Sequence, residues 1–174
     1  MKKLTLIRHA KSDHPPEIGR DFDRPLSARG LRDAPLIGQH LLEKHAFSPD
    51  RIISSPANRA YTTASLVRSA AGLTHLPIIE APDIYEADSR SLAGVIAAIS
   101  NHYQHPVLFG HCPGLENLAN WLCARRLSHS LPTGGIIMLE LAINSWAELD
   151  LGCATLLHYI LPSEIGGGKD AHAR

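Results

Sequence analysis

Leu4-Thr5-Leu6-Ile7, running straight into Arg8-His9-Ala10-Lys11-Ser12, decides how the rest of the chain is read. A short apolar run bounded by polar and turn-forming residues marks a strand buried on both faces. The pattern returns at Arg51–Ser54, 77–79 and 107–109, and again at Ile136–Leu141 and 155–161. Each of the first four runs is followed by an apolar stripe at helical spacing. Leu31, Ala34, Gly38, Leu41, Leu42 and His45 stand behind a Ser27 cap, and Ala60, Ala64, Val67 and Ala71 end at Gly72. Leu92, Val95, Ile96 and Ile99 form the third stripe, and Leu115, Leu118, Ala119 and Leu122 the fourth. Pro35 should kink the first helix or move its start. The order βαβαβαβα and then ββ predicts a three-layer α/β fold. Its central sheet is mostly parallel, with helices on both faces and the last two strands closing one edge antiparallel.

The composition agrees with a single domain. The chain has 174 residues, 44% of them hydrophobic and 20% charged, and a chain of that length buries roughly 70% of its unfolded surface. Seventeen basic side chains face seventeen acidic ones and the pI is near 7.2, which argues against nucleic-acid or membrane partners. Charge selectivity must then be local. Cys112, Cys123 and Cys153 contain no C-x-x-C pair and read as reduced thiols. The N-terminus enters the first strand without a signal-like apolar stretch, so a cytoplasmic location is expected. The domain is placed at residues 1–162, and 163–174, rich in glycine and polar residues, reads as a disordered tail.

In a sheet of this kind ligands bind at the carboxyl ends of the strands. There lie Arg8-His9-Ala10-Lys11-Ser12, Ser54-Ser55-Pro56-Ala57-Asn58-Arg59 and Gly110-His111-Cys112-Pro113-Gly114. Two arginines and two histidines converge with no carboxylate among them, which is the composition of an anion site. Guanidiniums fork onto phosphate oxygens, each full charge pair contributing up to about 4 kcal/mol at an effective dielectric near 20. A histidine among arginines should fall below its ordinary pKa of ~6.5 and stay neutral at pH 7, a nucleophile for phosphorus. Strand alternation would send Arg8 and His9 to opposite faces, so regular geometry should end at about Ile7.

These residues resemble the histidine phosphatase superfamily, the branch that includes phosphoglycerate mutase. The resemblance lies in Arg8-His9 with Ser12, in Ser54-Ser55-Pro56-x-x-Arg59-Ala60-x-x-Thr63-Ala64, and in Gly110-His111-x-Pro113-Gly114. The segment from Asp21 through Arg24-Pro25-Leu26-Ser27 to Arg29-Gly30, with Leu131-Pro132-Thr133-Gly134, is similar to the smaller SixA-type phosphohistidine phosphatases. It implies a phosphoglycerate mutase-like fold and a phosphohistidine intermediate on His9, with Arg8, Arg59 and His111 holding the phosphoryl group. Ser12 and Arg24 are candidate substrate-binding residues, although Arg24 also has Asp21 and Asp23 within pairing reach. Glu86 matches the region of the mutases' proton donor, and Asp88 is an equal alternative. No metal or cofactor is expected, and the partner is a phosphorylated protein, carrying phosphohistidine, or a small phosphorylated metabolite.

Two other readings compete. One keeps the pocket without turnover, as a domain that binds phosphorylated ligands. The other takes Gly110-x-Cys112-x-Gly114 as a nucleophile elbow, with Asp150 and His158 completing an esterase triad; Pro113 argues against it by removing an oxyanion-hole N–H.

Overall fold

A computed structural model describes residues 1–127 and 130–166. Four of its six strands are Lys2–Arg8 (β1), Arg51–Ser54 (β2), Ile78–Glu80 (β3) and Pro106–Gly110 (β4). They alternate with helices Ala28–His45 (α1), Asn58–Ala70 (α2), Ser89–Ala97 (α3) and Gly114–Leu122 (α4), and Ile136–Leu141 (β5) and Ala154–Ile160 (β6) follow. The sheet order is β3-β2-β4-β1-β5-β6. β1, β2, β3 and β4 are parallel, and β5 and β6 run antiparallel along one edge.

The period of two along the strands divides the core. Leu4, Leu6, Ile53, Leu108, Ile137 and Leu139 point to one face, where Leu92 and Ile96 of α3 and Leu115 and Leu118 of α4 cover them. Ile7, Ile52, Val107, Phe109 and Ile136 point to the other, under Ala34, Ile37 and Leu41 of α1 and Ala64 and Val67 of α2. Strands buried on both faces must be apolar throughout, which is why these runs do not alternate with polar residues.

Ser27 caps α1 by accepting the Gly30 N–H at 3.0 Å. Pro35 lies inside that helix and does not move its start; it removes the N–H that the Leu31 carbonyl would have accepted. Folded structure extends beyond residue 162: Pro162–Glu164 forms a 3-10 turn and Ile165 packs against the second core cluster. The remainder of the expected tail, 167–174, lies outside the described residues.

Gly30 ties the scaffold to the loop that follows β1. A Cβ there would overlap the Lys11 carbonyl oxygen, the same atom that accepts the Ser27 N–H at 2.8 Å and its hydroxyl at 3.1 Å. Gly30→Ala gains about 1 kcal/mol of helix propensity, yet the overlap with backbone should reverse the sign. Urea unfolding is expected to show a net loss of about 1–3 kcal/mol; a stabilised variant would contradict this packing.

Candidate active site

β1, β4 and β2 are parallel neighbours, so their carboxyl ends leave one edge of the sheet together. Arg8 pairs with Gly110 and Ser54 with Phe109. The His9 N–H then donates to the Gly110 carbonyl at 3.1 Å and the Ser55 N–H to that of Phe109 at 3.0 Å. β1 therefore persists to Arg8, one residue beyond the expected end. Beyond it the chain is held from two sides. The Gly134 N–H, at φ +75°, lies 2.9 Å from the His9 carbonyl and 3.1 Å from that of Arg8. Thr63 of α2 accepts the Ala10 N–H at 3.0 Å while its hydroxyl donates to the Arg59 carbonyl at 2.7 Å.

This framework brings two imidazoles together, His9 and His111, with ring centroids 5.4 Å apart. His9 is only 6% exposed, and its Nδ1 lies 2.8 Å from the Ala10 carbonyl oxygen. A carbonyl only accepts, so the proton of the neutral ring sits on Nδ1 and the lone pair on Nε2. Burial, more than the like-charged neighbours, lowers the His9 pKa to about 4, and Arg59, Arg8 and Arg24 push the same way. His111 falls to about 3, again by burial first and then by His9 and Arg59. Its Nε2 lies 2.8 Å from Ser55 Oγ, and its Nδ1 is buried without a partner.

Three guanidiniums surround the pair, and they are not free of carboxylate as the sequence suggested. Arg8 Nη1 donates to the Leu131 carbonyl at 2.8 Å, and its buried Nε has no partner. Arg59, on the first turn of α2, donates through Nη1 to the Asp21 carbonyl at 2.8 Å and through Nη2 to Asp21 Oδ2 at 2.9 Å. Arg24 reaches Asp21 Oδ1 at 3.0 Å, Ser12 Oγ at 2.9 Å and the Asp13 carbonyl at 3.1 Å. The Tyr85 hydroxyl donates to Asp21 Oδ2 at 2.7 Å, and the Tyr85 ring stands 5.7 Å from that of His111. Ser12 and Arg24 thus join the cluster, together with Asp21, Tyr85, Thr63 and Ser55, to which the sequence reading assigned no role.

The candidate acids fare differently. Glu86 is exposed beside Tyr85 and has a left-handed backbone at φ +56°, a conformation that costs a non-glycine residue free energy. Asp88 instead caps α3, accepting the Ser91 N–H at 2.8 Å. Its hydrogen bonds to Ser91 hold its carboxyl below the ordinary range, so this carboxylate is engaged at the helix N-terminus. The esterase triad is not assembled. Cys112 packs on the core face shared with α3 and α4, and burial pushes its thiol pKa up. His158 instead meets His45 of α1 edge to face, at 4.6 Å between ring centroids, and Asp150 accepts the Leu151 N–H. Among the described residues no group of three or more His, Cys, Asp or Glu side chains is placed to hold a metal ion, and no helix is long and apolar enough to cross a membrane.

Residues 4–115 match the family described as the histidine phosphatase superfamily, branch 1. An uncharacterized protein of Mycobacterium tuberculosis is 32% identical over 165 residues, covering 90% of this chain and 99% of that one. Phosphoserine phosphatase 1 of Hydrogenobacter thermophilus is 37% identical over 99 residues, 55% of this chain and 44% of its own length. A crystal structure assigned as the phosphohistidine phosphatase SixA of Agrobacterium tumefaciens has a TM-score of 0.78 at 26% identity, covering 92% of this chain and 98% of that one. The match in sequence and the shared phosphoglycerate mutase-like fold, bearing the arginines and histidines just described, establish that the chain belongs to the histidine phosphatase superfamily, in its SixA-like branch.

Proposed function

We propose that the protein is a metal-independent phosphatase acting on phosphohistidine, or on small phosphomonoesters, through a covalent phosphohistidine at His9. The observation that carries this reading is the Nδ1–H to Ala10 carbonyl bond. It leaves the Nε2 lone pair of a neutral, buried ring in the middle of three guanidiniums.

The first step forms the His9 Nε2–P bond as the bond from phosphorus to the leaving group breaks. The electron pair departs with the leaving group, which takes up a proton from the Glu86 carboxyl or from solvent. Water then attacks phosphorus, the Nε2–P bond breaks, the ring recovers its lone pair, and the water proton leaves to solvent or to the exposed Glu86 carboxylate. The transition states are loose, with charge on the equatorial oxygens, so catalysis is chiefly positioning and electrostatic stabilisation. Arg8, Arg24 and Arg59 supply that stabilisation without Mg²⁺.

Two buried polar atoms support the same placement. Among the described residues Arg8 Nε and His111 Nδ1 have no partner, and buried polar groups are seldom left so. Ser55 Oγ already accepts the Ala57 N–H at 3.2 Å. In the tautomer this mechanism uses, its hydroxyl donates to His111 Nε2 and the His111 proton sits on Nδ1, free for a phosphoryl oxygen. Substrate breadth follows from access. Asp21 is 42% exposed and Arg24 25% in their side chains, which supports a cup whose rim is open to a phosphohistidine carried on a protein. An imidazole leaving group also needs less acid help than an alkoxide, in keeping with a donor as exposed as Glu86.

His9→Ala should lower turnover of aryl phosphate and of a phosphohistidine peptide by at least about 10⁴-fold, and wild-type activity should persist in excess chelator. Release of phosphate from small esters but never from phosphohistidine would refute the narrower assignment. A second test uses pH. Unfolded histidines protonate near ~6.5, whereas the folded rings of His9 and His111 stay neutral to about 4 and about 3. Between those limits the unfolded chain binds more protons, so stability falls as pH is lowered from 6.5 toward 4. The urea midpoint should drop over that window, less steeply in His9→Ala; equal slopes for the two proteins would show His9 to be unperturbed.

A further inference from the structure

We infer that Asp21 is a positioning residue of the phosphoryl site, whose carboxylate fixes Arg59 and Arg24 in place before substrate arrives. The inference rests on the proposed function and adds to it a residue that acts through its neighbours.

The geometry is specific. Each carboxylate oxygen takes a different guanidinium, Oδ1 from Arg24 at 3.0 Å and Oδ2 from Arg59 at 2.9 Å, and Oδ2 also accepts the Tyr85 hydroxyl at 2.7 Å. The backbone carbonyl of the same residue receives the other terminal nitrogen of Arg59. Arg59 is therefore gripped by both ends of one residue, 38 positions away in sequence. The 3-10 turn Asp21–Asp23 that carries this grip is itself docked on α2, where Asn58 Nδ2 donates to the Asp23 carbonyl at 3.3 Å.

An exposed pair on a surface would count for little. Here the Arg59 side chain is only 8% exposed and lies beneath the carboxylate, so the pair sets the orientation of a buried cation. A long arginine side chain has many rotamers, and a guanidinium already held in one of them need not be ordered during the reaction. Charge points the same way. Three guanidiniums and one carboxylate sum to +2, the complement of a phosphoryl dianion, whereas three unpaired guanidiniums would repel one another. Tyr85, Arg24 and Arg59 hold the Asp21 carboxyl well below the usual carboxylate range, so it remains charged wherever the enzyme works. The same hydrogen bond, in which the Tyr85 hydroxyl donates to Asp21 Oδ2, pushes the Tyr85 phenol up to about 12.

The test is steady-state kinetics on an aryl phosphate with orthovanadate inhibition, using Asp21→Ala, Asp21→Asn, Tyr85→Phe and the Asp21→Ala/Tyr85→Phe double variant. Misplaced catalytic groups cost on the order of 10²-fold. Asp21→Ala is therefore expected to lose about that factor in kcat, with less change in KM, and to raise the vanadate Ki in parallel. Tyr85→Phe should show a smaller loss in the same direction. The double variant should match Asp21→Ala, because Tyr85 acts through Asp21 and the effects are not additive. Asp21→Asn keeps the volume but presents an N–H to one guanidinium, so it should behave like the alanine variant; it supplies the result if Asp21→Ala does not fold. Kinetics within twofold of wild type would overturn the inference. So would tighter vanadate binding, since the carboxylate would then be a competitor for the anion pocket. If wild type is active and His9→Ala is not, either result removes Asp21 alone; if His9→Ala is also active, the underlying reading of the site falls first.

Discussion

One hydrogen bond, from His9 Nδ1 to the carbonyl of the next residue, decides what the site can do. It assigns the ring proton to Nδ1 and keeps a lone pair on Nε2. The bond is useful only because the ring is buried. In water the same imidazole would be partly protonated at neutral pH, whereas burial among cations holds it neutral to about 4. The rest of the fold can be read as support for that one tautomer. Gly134 grips the His9 carbonyl, Thr63 grips the Ala10 N–H, and the Arg8–Gly110 register carries the backbone into place.

The sheet order explains why so few residues suffice. Because β1, β4 and β2 are adjacent and parallel, segments separated by about fifty residues each leave the same edge. A crossover connection is needed between successive parallel strands, and α1, α2 and α3 provide these, while α4 leads into antiparallel β5. β5 and β6 add no site segment at their ends. Their contribution comes from the turn ahead of β5, where the Leu131 carbonyl holds Arg8 and Gly134 and Gly135 close the end of β1. Position at the site thus comes from backbone hydrogen bonds, and side-chain charge is added onto an already fixed frame.

The strands were legible in the chain as short continuous apolar runs and the four α-helices as stripes at helical spacing, and Ser27 marked the start of α1 by its chemistry. His9, Arg8, Arg59 and His111 were legible because they sit just beyond apolar runs. Asp21 was not. It lies in a short polar loop that has no period, and its importance depends on Arg59 reaching it from α2, a contact invisible without the packing of α1 against α2. The expectation of a site free of carboxylate failed for that reason, and Tyr85 was missed with it. Beyond the pairing reach of Asp21 to Arg24, the charge on Arg59 in a first helical turn is a sequence clue, since the helix dipole disfavours it there; a carboxylate partner offsets that cost. The depressed pKa of His9 was anticipated in direction but credited to neighbouring charge, because burial of one ring cannot be read from its sequence.

The central claim is that phosphorus becomes bonded to one nitrogen of one residue during turnover. Enzyme mixed with a phosphohistidine substrate, quenched in alkali within a single turnover and mapped by peptide mass spectrometry, tests it directly. A phosphoryl group on the peptide holding His9, lost on acid treatment and absent after product release, is the predicted result. A phosphoryl group found on another side chain, or turnover with no protein-bound phosphorus at any time point, would contradict it.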